Sequence, residues 1–364
     1  MEHAVLRVPA SRRRLVVLGA TVALAGFGTV AAASAPHGHR PGGFNTPGNI
    51  LIADQFNNRV VEVNSAHQVV WQFGDGSYLP GPDSIVGVND AERVGGLTLL
   101  AGTGTPPGAD PSCPLANGCP DNRVILVNQP GHIVWQYGQA GVTGAGPNEL
   151  NTPVQSTYLP DGDVLITDQG NQRVIEVKRN GQIVWQYGQT GVAGAGSDQL
   201  SNPNSAELLA NGDILIADES NNRVIEVNRS HQIVWQYGSP SDTTTLNGAA
   251  FASRLSDGDT LITDSNNNRI LIVTQGKQVV FDYATNTRPG SMDMPLPTRA
   301  VMLSNGNVLI SDQFNDQVIE INQQQQIVFS QGQIQTDGNG FNLLNAPYDA
   351  KVIGDYTGLT PPGS

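Results

Sequence analysis

Carboxylates, carboxamides and guanidinium groups recur through this chain in one fixed frame. Asp54, Asn57 and Arg59 stand as Asp-x-x-Asn-x-Arg, and so do Asp168, Asn171 and Arg173, then Asp218, Asn221 and Arg223, then Asp264, Asn267 and Arg269. Asp312, Asn315 and Gln317 form a copy without the guanidinium, and Asp121-Asn122-Arg123 a contracted one. Such a set could grip a ligand. The same groups can also accept backbone N–H bonds in a turn and pair with one another. A group present in every unit serves the unit, so this constellation reads as scaffold.

The remaining reactive side chains are sparse. His67, His132 and His231 each precede a strand bearing Trp or a neighbouring aromatic, where other copies have Gly181, Lys277 or Gln326. A position open to that variety reads as a solvated turn. His3, His37 and His39 fall in or beside the N-terminal leader. Cys113 and Cys119 are the two cysteines, in Pro-Ser-Cys-Pro-Leu-Ala-Asn-Gly-Cys-Pro with no adjacent His. In an oxidising compartment that spacing suits a local disulfide better than a metal site.

The elements that hold these groups repeat about every 50 residues. In one copy an inner strand around Pro203–Leu209 meets a turn at Asn211-Gly212-Asp213, a sequence that favours tight hairpins. Apolar runs Ile214–Asp218 and Arg223–Val227 follow, then Gln232–Tyr237. Four short strands at this period make a propeller blade. The predicted fold is all-β: a six-bladed β-propeller of four-stranded antiparallel blades. Inner strands carry small residues at one position (Ala91, Ser156, Ala206, Ala252, Ala300, Ala350), and outer strands carry Trp71, Trp135, Trp185, Trp235, Phe281 or Phe329. That gradient fills a wedge narrowing toward an axis. The first copy starts at its second strand, Asn49–Asp54, and the chain supplies an orphan inner strand at Asn345–Ile353. That strand is expected to close the ring by pairing into the first blade. The longer interval between Arg59 and Arg123 holds both cysteines, so that blade carries an insertion.

Composition agrees. The chain has 42 Gly, 23 Pro and 14% charged residues, a balance suited to an all-β repeat array rather than a helical protein. Its net charge of −13 opposes nucleic acid and anionic lipid. Arg7 and Arg12–Arg14 precede the uncharged stretch Leu15–Ala33, then small residues and Pro36. Residues 1–35 read as a signal peptide, with Ser11–Val16 resembling a twin-arginine signal, and an uncleaved anchor as the alternative. Residues 36–44 are then a linker, 45–355 the propeller and 356–364 a C-terminal tail. The mature chain is expected outside the cytoplasm, with no stable membrane insertion after cleavage.

The run 212–227, Gly-Asp-Ile-Leu-Ile-Ala-Asp-Glu-Ser-Asn-Asn-Arg-Val-Ile-Glu-Val, resembles an NHL repeat, as do its counterparts around Asp54, Asp168, Asp264 and Asp312. The resemblance spans about residues 45–355 and implies a propeller. It does not choose between binding modules and enzymes. Gln-Ile-Val-Trp-Gln-Tyr-Gly is similar to segments of aryl-sulfate sulfotransferases, and the Trp-bearing strands to quinoprotein dehydrogenases. The catalytic His of the former and the vicinal cysteines of the latter have no counterpart here. Nor does any inner strand carry the zinc-binding His of the amidating lyases.

Departures from repetition mark the better functional candidates. Asp90, Glu92, Gln155, Asn204, Glu207, Arg299, Tyr348 and Asp349 lie on inner strands at positions that differ from blade to blade. They are expected to line a polar axial funnel. Two functions follow. One is an exported, non-catalytic binding propeller taking a small molecule, a glycan or a protein. The other is a hydrolase or lyase assisted by a metal such as Ca²⁺, which suits Asn, Asp and Glu oxygens as in the Glu/Asn/Asp site of gluconolactonase-like propellers. No residue is assigned a catalytic role.

Overall fold

Short runs of β-branched and aromatic residues between Gly- and Asn-bearing turns form strands, and residues 43–363 of a computed structural model arrange them into six four-stranded sheets. The expected signal peptide and nearly all of the linker lie outside the described residues. Each blade runs outward from an inner strand. In blade 4 the order is Pro203–Leu208, Ile214–Asp218, Arg223–Val227 and Ile233–Gly238, every neighbour antiparallel.

Closure follows the predicted scheme. The last strand, Pro347–Val352, pairs antiparallel with Ile50–Asp54, placing Ala350 opposite Ile52 and Lys351 opposite Leu51. The core is divided among the junctions between blades. Leu51 and Val60 of blade 1 pack with Leu100 and Ile125 of blade 2. At the seam, Ile52 and Val61 pack with Leu309 and Val318 of blade 6. Each such aliphatic side chain contributes about 1.5–3 kcal/mol on burial.

The repeated polar frame is structural. Arg173 Nε lies 2.8 Å from Asp168 Oδ2, and Asn171 donates to the same oxygen at 2.8 Å. Asp168 Oδ1 accepts the Asn151 backbone N–H at 2.8 Å, tying the turn to the loop that enters the blade. Asp54, Asp218 and Asp264 repeat these bonds. In blade 6, where Gln317 replaces the Arg, Arg288 arrives from the preceding loop and pairs with Asp312. The residue before each Arg position turns left-handed: Asn58, Gln172, Asn222, Asn268 and Asp316 all have positive φ. Asn tolerates that conformation better than most side chains.

The outer aromatics pin blades together. Trp71 Nε1 donates to Gln129 O at 2.8 Å and Trp135 Nε1 to Arg179 O at 2.9 Å, each reaching the next blade's outer turn. His67 occupies such a turn and stacks on Phe329, its ring centroid 5.3 Å away. Cys113 and Cys119 form the expected disulfide. It closes the insertion between the two long middle strands of blade 2, Leu97–Thr105 and Cys119–Asn128.

Candidate functional site: the axial funnel

One irregularity repeated around the ring builds the site. The pairing of inner strands slips by one residue between Val88 and Asp90, Pro153 and Gln155, Pro203 and Ser205, and Ala249 and Phe251, and opposite the Ala53–Asp54 step. The residues left over are Asn89, Val154, Asn204, Ala250 and Tyr348. Thr298, just ahead of the inner strand Arg299–Met302, takes the corresponding place in blade 6. A bulge bends its strand and re-aims the extra side chain. All of these side chains line one cavity of about 620 Å³.

Two further elements complete its wall. The first residues of the 3₁₀ turns, Gln55, Gln169, Glu219, Ser265 and Gln313, form a second tier. The blade 2 insertion supplies one side through Thr105, Pro106, Pro107, Asn117 and Gly118. The Tyr78 hydroxyl anchors that side, touching the Asp110 carboxylate and lying 3.2 Å from Phe56 O. Phe56 and Phe314, at equivalent positions in adjacent blades 1 and 6, are half-buried on the wall.

The lining is nearly uncharged and mixes carboxamide and hydroxyl groups with a larger apolar surface from residues such as Phe56, Pro107, Val154, Leu296 and Phe314. Among the described residues it contains no Lys, Arg or His, and Glu219 is its one carboxylate. Side chains order one another. Gln313 Nε2 donates to Gln55 Oε1 and Gln55 Nε2 to Asn89 Oδ1, both at 2.7 Å. Across the funnel Asn204 Nδ2 lies 2.9 Å from Glu219 Oε2 and 2.9 Å from the Tyr348 hydroxyl. Burial pushes the Glu219 carboxyl up, and the Asn204 bond opposes it. Burial, then the nearby Glu219, push the Tyr348 hydroxyl up.

Below the cavity the axis is filled by charge. Lys351 Nζ lies 2.7 Å from Asp90 Oδ1 and 2.5 Å from Asp349 Oδ2. Arg299 lies 3.2 Å from Asp349 Oδ1 and 3.4 Å from Asp90 Oδ1, with its guanidinium 4.6 Å from the centre of the Phe251 ring. All four charged residues are buried. Burial pushes Asp90 up to about 6 against the pull of Lys351. Burial would also raise Asp349, but Lys351 and Arg299 outweigh it and hold that carboxyl below its ordinary value.

A third level lies toward the opposite end of the ring. Gln155 Nε2 donates to Glu207 Oε1 at 2.8 Å, and the Tyr158 N–H donates to Glu92 Oε2 at 2.8 Å. The tail crosses this end. Ser304 donates to Asp355, Tyr356 reaches Arg93 O, and the Thr360 hydroxyl donates to Glu207 Oε2 at 2.6 Å.

The residues singled out from sequence therefore fall on three levels. Asn204 and Tyr348 line the cavity; Asp90, Arg299 and Asp349 form the neck; Glu92, Gln155 and Glu207 lie beneath it. Sequence reasoning did not select Glu219, Gln55, Gln313 or the insertion wall. The signal for the turn tier was present: the position after the repeated Asp varies as Gln, Gln, Glu, Ser and Gln, while the Asp before it and the Asn two places on hold constant. The group of carboxylates close enough to share a cation among the described residues, Asp161, Asp163 and Glu176, sits at the turn between the first two strands of blade 3 and on the third strand, outside the lining of the cavity.

Blades, bulges and neck together define a six-bladed β-propeller with one open axial cavity. Residues 57–329 match the family described as outer membrane protein assembly factor BamB, and the chain belongs to that family. The matching family is a propeller family other than the NHL repeats. Among solved structures, virginiamycin B lyase from Staphylococcus aureus is similar at 15% identity and a TM-score of 0.52, covering 80% of this chain and 82% of that one. A protein of unknown function from Bacteroides caccae has 15% identity and a TM-score of 0.55, over 78% and 93%. A streptogramin B lyase has 15% and 0.52, over 80% of each. At these identities the likeness shows the fold alone. No curated protein matches the chain.

Proposed function

We propose that this chain is an exported, non-catalytic propeller that binds a ligand in its axial funnel. The observation carrying this reading is the convergence of bulge residues and turn residues into one cavity whose carboxamides are already ordered by mutual bonds. Convergent polar groups in a concave site are where ligands bind. The alternative, a Ca²⁺-assisted hydrolase or lyase, has less support. Ca²⁺ sites set charged carboxylates among their six to eight oxygens, whereas the neck carboxylates are occupied by Lys351 and Arg299 and the cavity has one carboxylate, Glu219.

Export is part of the proposal, with residues 1–35 removed, 36–44 a linker, 45–355 the ring and 356–364 the tail. The disulfide supports an oxidising compartment. So does membership of a family described as an outer membrane protein assembly factor. The NHL-like signature fits a module that presents a surface or a funnel to a partner. N-terminal sequencing of exported protein should find a start between about Ala32 and Pro36. Intact Met1 in the membrane fraction would reverse that reading.

The funnel itself is tested by soaking a fragment library into crystals of residues 36–364. Fragments should occupy the cavity, and Asn204→Ala with Tyr348→Phe should remove them. Arg173→Ala, in the scaffold pair, should lower stability and leave occupancy intact. Fragments found only on the blade edges would move the site there.

A further inference from the structure

The chemistry of the wall narrows the class of ligand, a step that rests on the funnel being the binding site. We propose that the funnel takes a neutral, hydroxyl-rich ligand, a short saccharide, held by side-chain amides and stacked against Phe56 and Phe314.

Charge sets the first constraint. No cationic side chain lines the cavity, and the chain as a whole carries −13. A phosphate, sulfate or carboxylate would exchange its hydration for neutral dipoles inside a repelling field. A metal ion would find one carboxylate, already accepting from Asn204.

An organic cation fails on placement. Cation recognition by aromatic rings needs the rings around the charge and a carboxylate close by. Phe56 and Phe314 belong to blades 1 and 6, whereas Glu219 belongs to blade 4, on the opposite side of a six-membered ring of blades. Beside Glu219 a compact ammonium group would meet the single ring of Tyr348, one face rather than a cage.

The wall does suit hydroxyls. Each carboxamide presents two N–H donors and a carbonyl acceptor on one plane, and a hydroxyl both donates and accepts. Gln55, Asn89 and Gln313 form one ordered cluster, and Asn204 with Tyr348 and Glu219 another across the cavity. Side chains fixed before binding lose little entropy when the ligand arrives. The two phenyl rings supply the apolar face that the C–H side of a pyranose requires. The volume, about 620 Å³, lies within the range of small-molecule sites.

Calorimetry on residues 36–364 tests this with three series of trisaccharides: neutral ones built on glucose, galactose, mannose and N-acetylglucosamine, a cationic glucosamine trimer, and an anionic galacturonate trimer. At least one neutral trisaccharide should bind, with affinity insensitive to salt. Phe314→Ala and Asn204→Ala should each weaken it about tenfold, with melting within a few degrees of wild type as the folding control. Tighter binding of the glucosamine or galacturonate trimer overturns the assignment. So does neutral binding that both variants leave unchanged. If fragments fill the funnel but no saccharide binds, the ligand class is wrong and the funnel site stands. If neither enters, the binding reading itself fails.

Discussion

Lys351 Nζ stands 2.7 Å from Asp90 Oδ1, although 261 positions separate the two along the chain. Lys351 belongs to the strand that closes blade 1, and Asp90 to the inner strand of blade 2. The contact therefore fastens the closing strand to its neighbour at the axis. Removing one member of a buried ion cluster leaves its partners uncompensated, which costs about 3–5 kcal/mol. Lys351→Met should lose stability on that scale in urea unfolding. A loss under about 1 kcal/mol would show that the cluster does not hold the ring.

The same cluster gives a pH dependence. Asp90 titrates near 6 in the folded chain, above the ordinary aspartate value, because burial disfavours its charge. The protonated form is thus the one favoured by folding. Its contribution is complete below the unfolded value near ~4 and is lost as pH rises through about 6. Between those limits wild type should lose about 3 kcal/mol to this group. Asp312, also raised to about 6 by burial, adds a slope of the same sign. Chemical denaturation across pH should therefore show a shallower decline for Asp90→Asn than for wild type. Equal slopes would refute the assignment.

Truncation separates ring from tail. Ending the chain at Leu344 removes the inner strand of blade 1 together with Lys351, exposing the edge of Ile50–Asp54. Cooperative unfolding should be lost. Ending it at Ile353 keeps the closing strand and removes only the segment that covers Glu207. That shorter cut should retain a cooperative transition. If both truncations melted like wild type, closure by the last strand would be wrong.

The disulfide should matter more to binding than to folding. Its loop is short, so stabilisation belongs at the low end of the usual ~2–4 kcal/mol. The residues it restrains, from Pro106 to Gly118, form one side of the funnel. Thiol titration of native protein should find no free thiol. Replacing both cysteines by Ser should leave the ring folded and weaken whatever the funnel binds. Unchanged affinity in that variant would show the wall to be rigid without the bond.

The repeat was legible because the groups that make it obey local rules. Asp168, Asn171 and Arg173 act within one turn, so their spacing alone carries their role, and Ala206 on the inner strand with Trp235 on the outer strand of the same blade reports the taper of the wedge. The site was only partly legible. Asn204 and Tyr348 stood out as departures from the repeat and do line the cavity. Asp90 and Asp349 departed equally, yet their side chains are consumed by Lys351 and Arg299. What separates the two pairs is a one-residue slip in strand pairing, which moves a side chain from one face to another. No composition or periodicity encodes that slip. Glu219 was masked differently: its own position varies, but it lies between an Asp and an Asn that repeat as scaffold.

The segment that crosses the lower end of the ring, with the ion cluster above it, makes the cavity blind. A ligand held there would have one door, so arrival and departure would pass the same rim of loops, with the blade 2 insertion on that path. A polymer cannot be threaded through such a ring. It can offer only a terminus or a tight bend, which would make this propeller a reader of chain ends rather than a sleeve around chains.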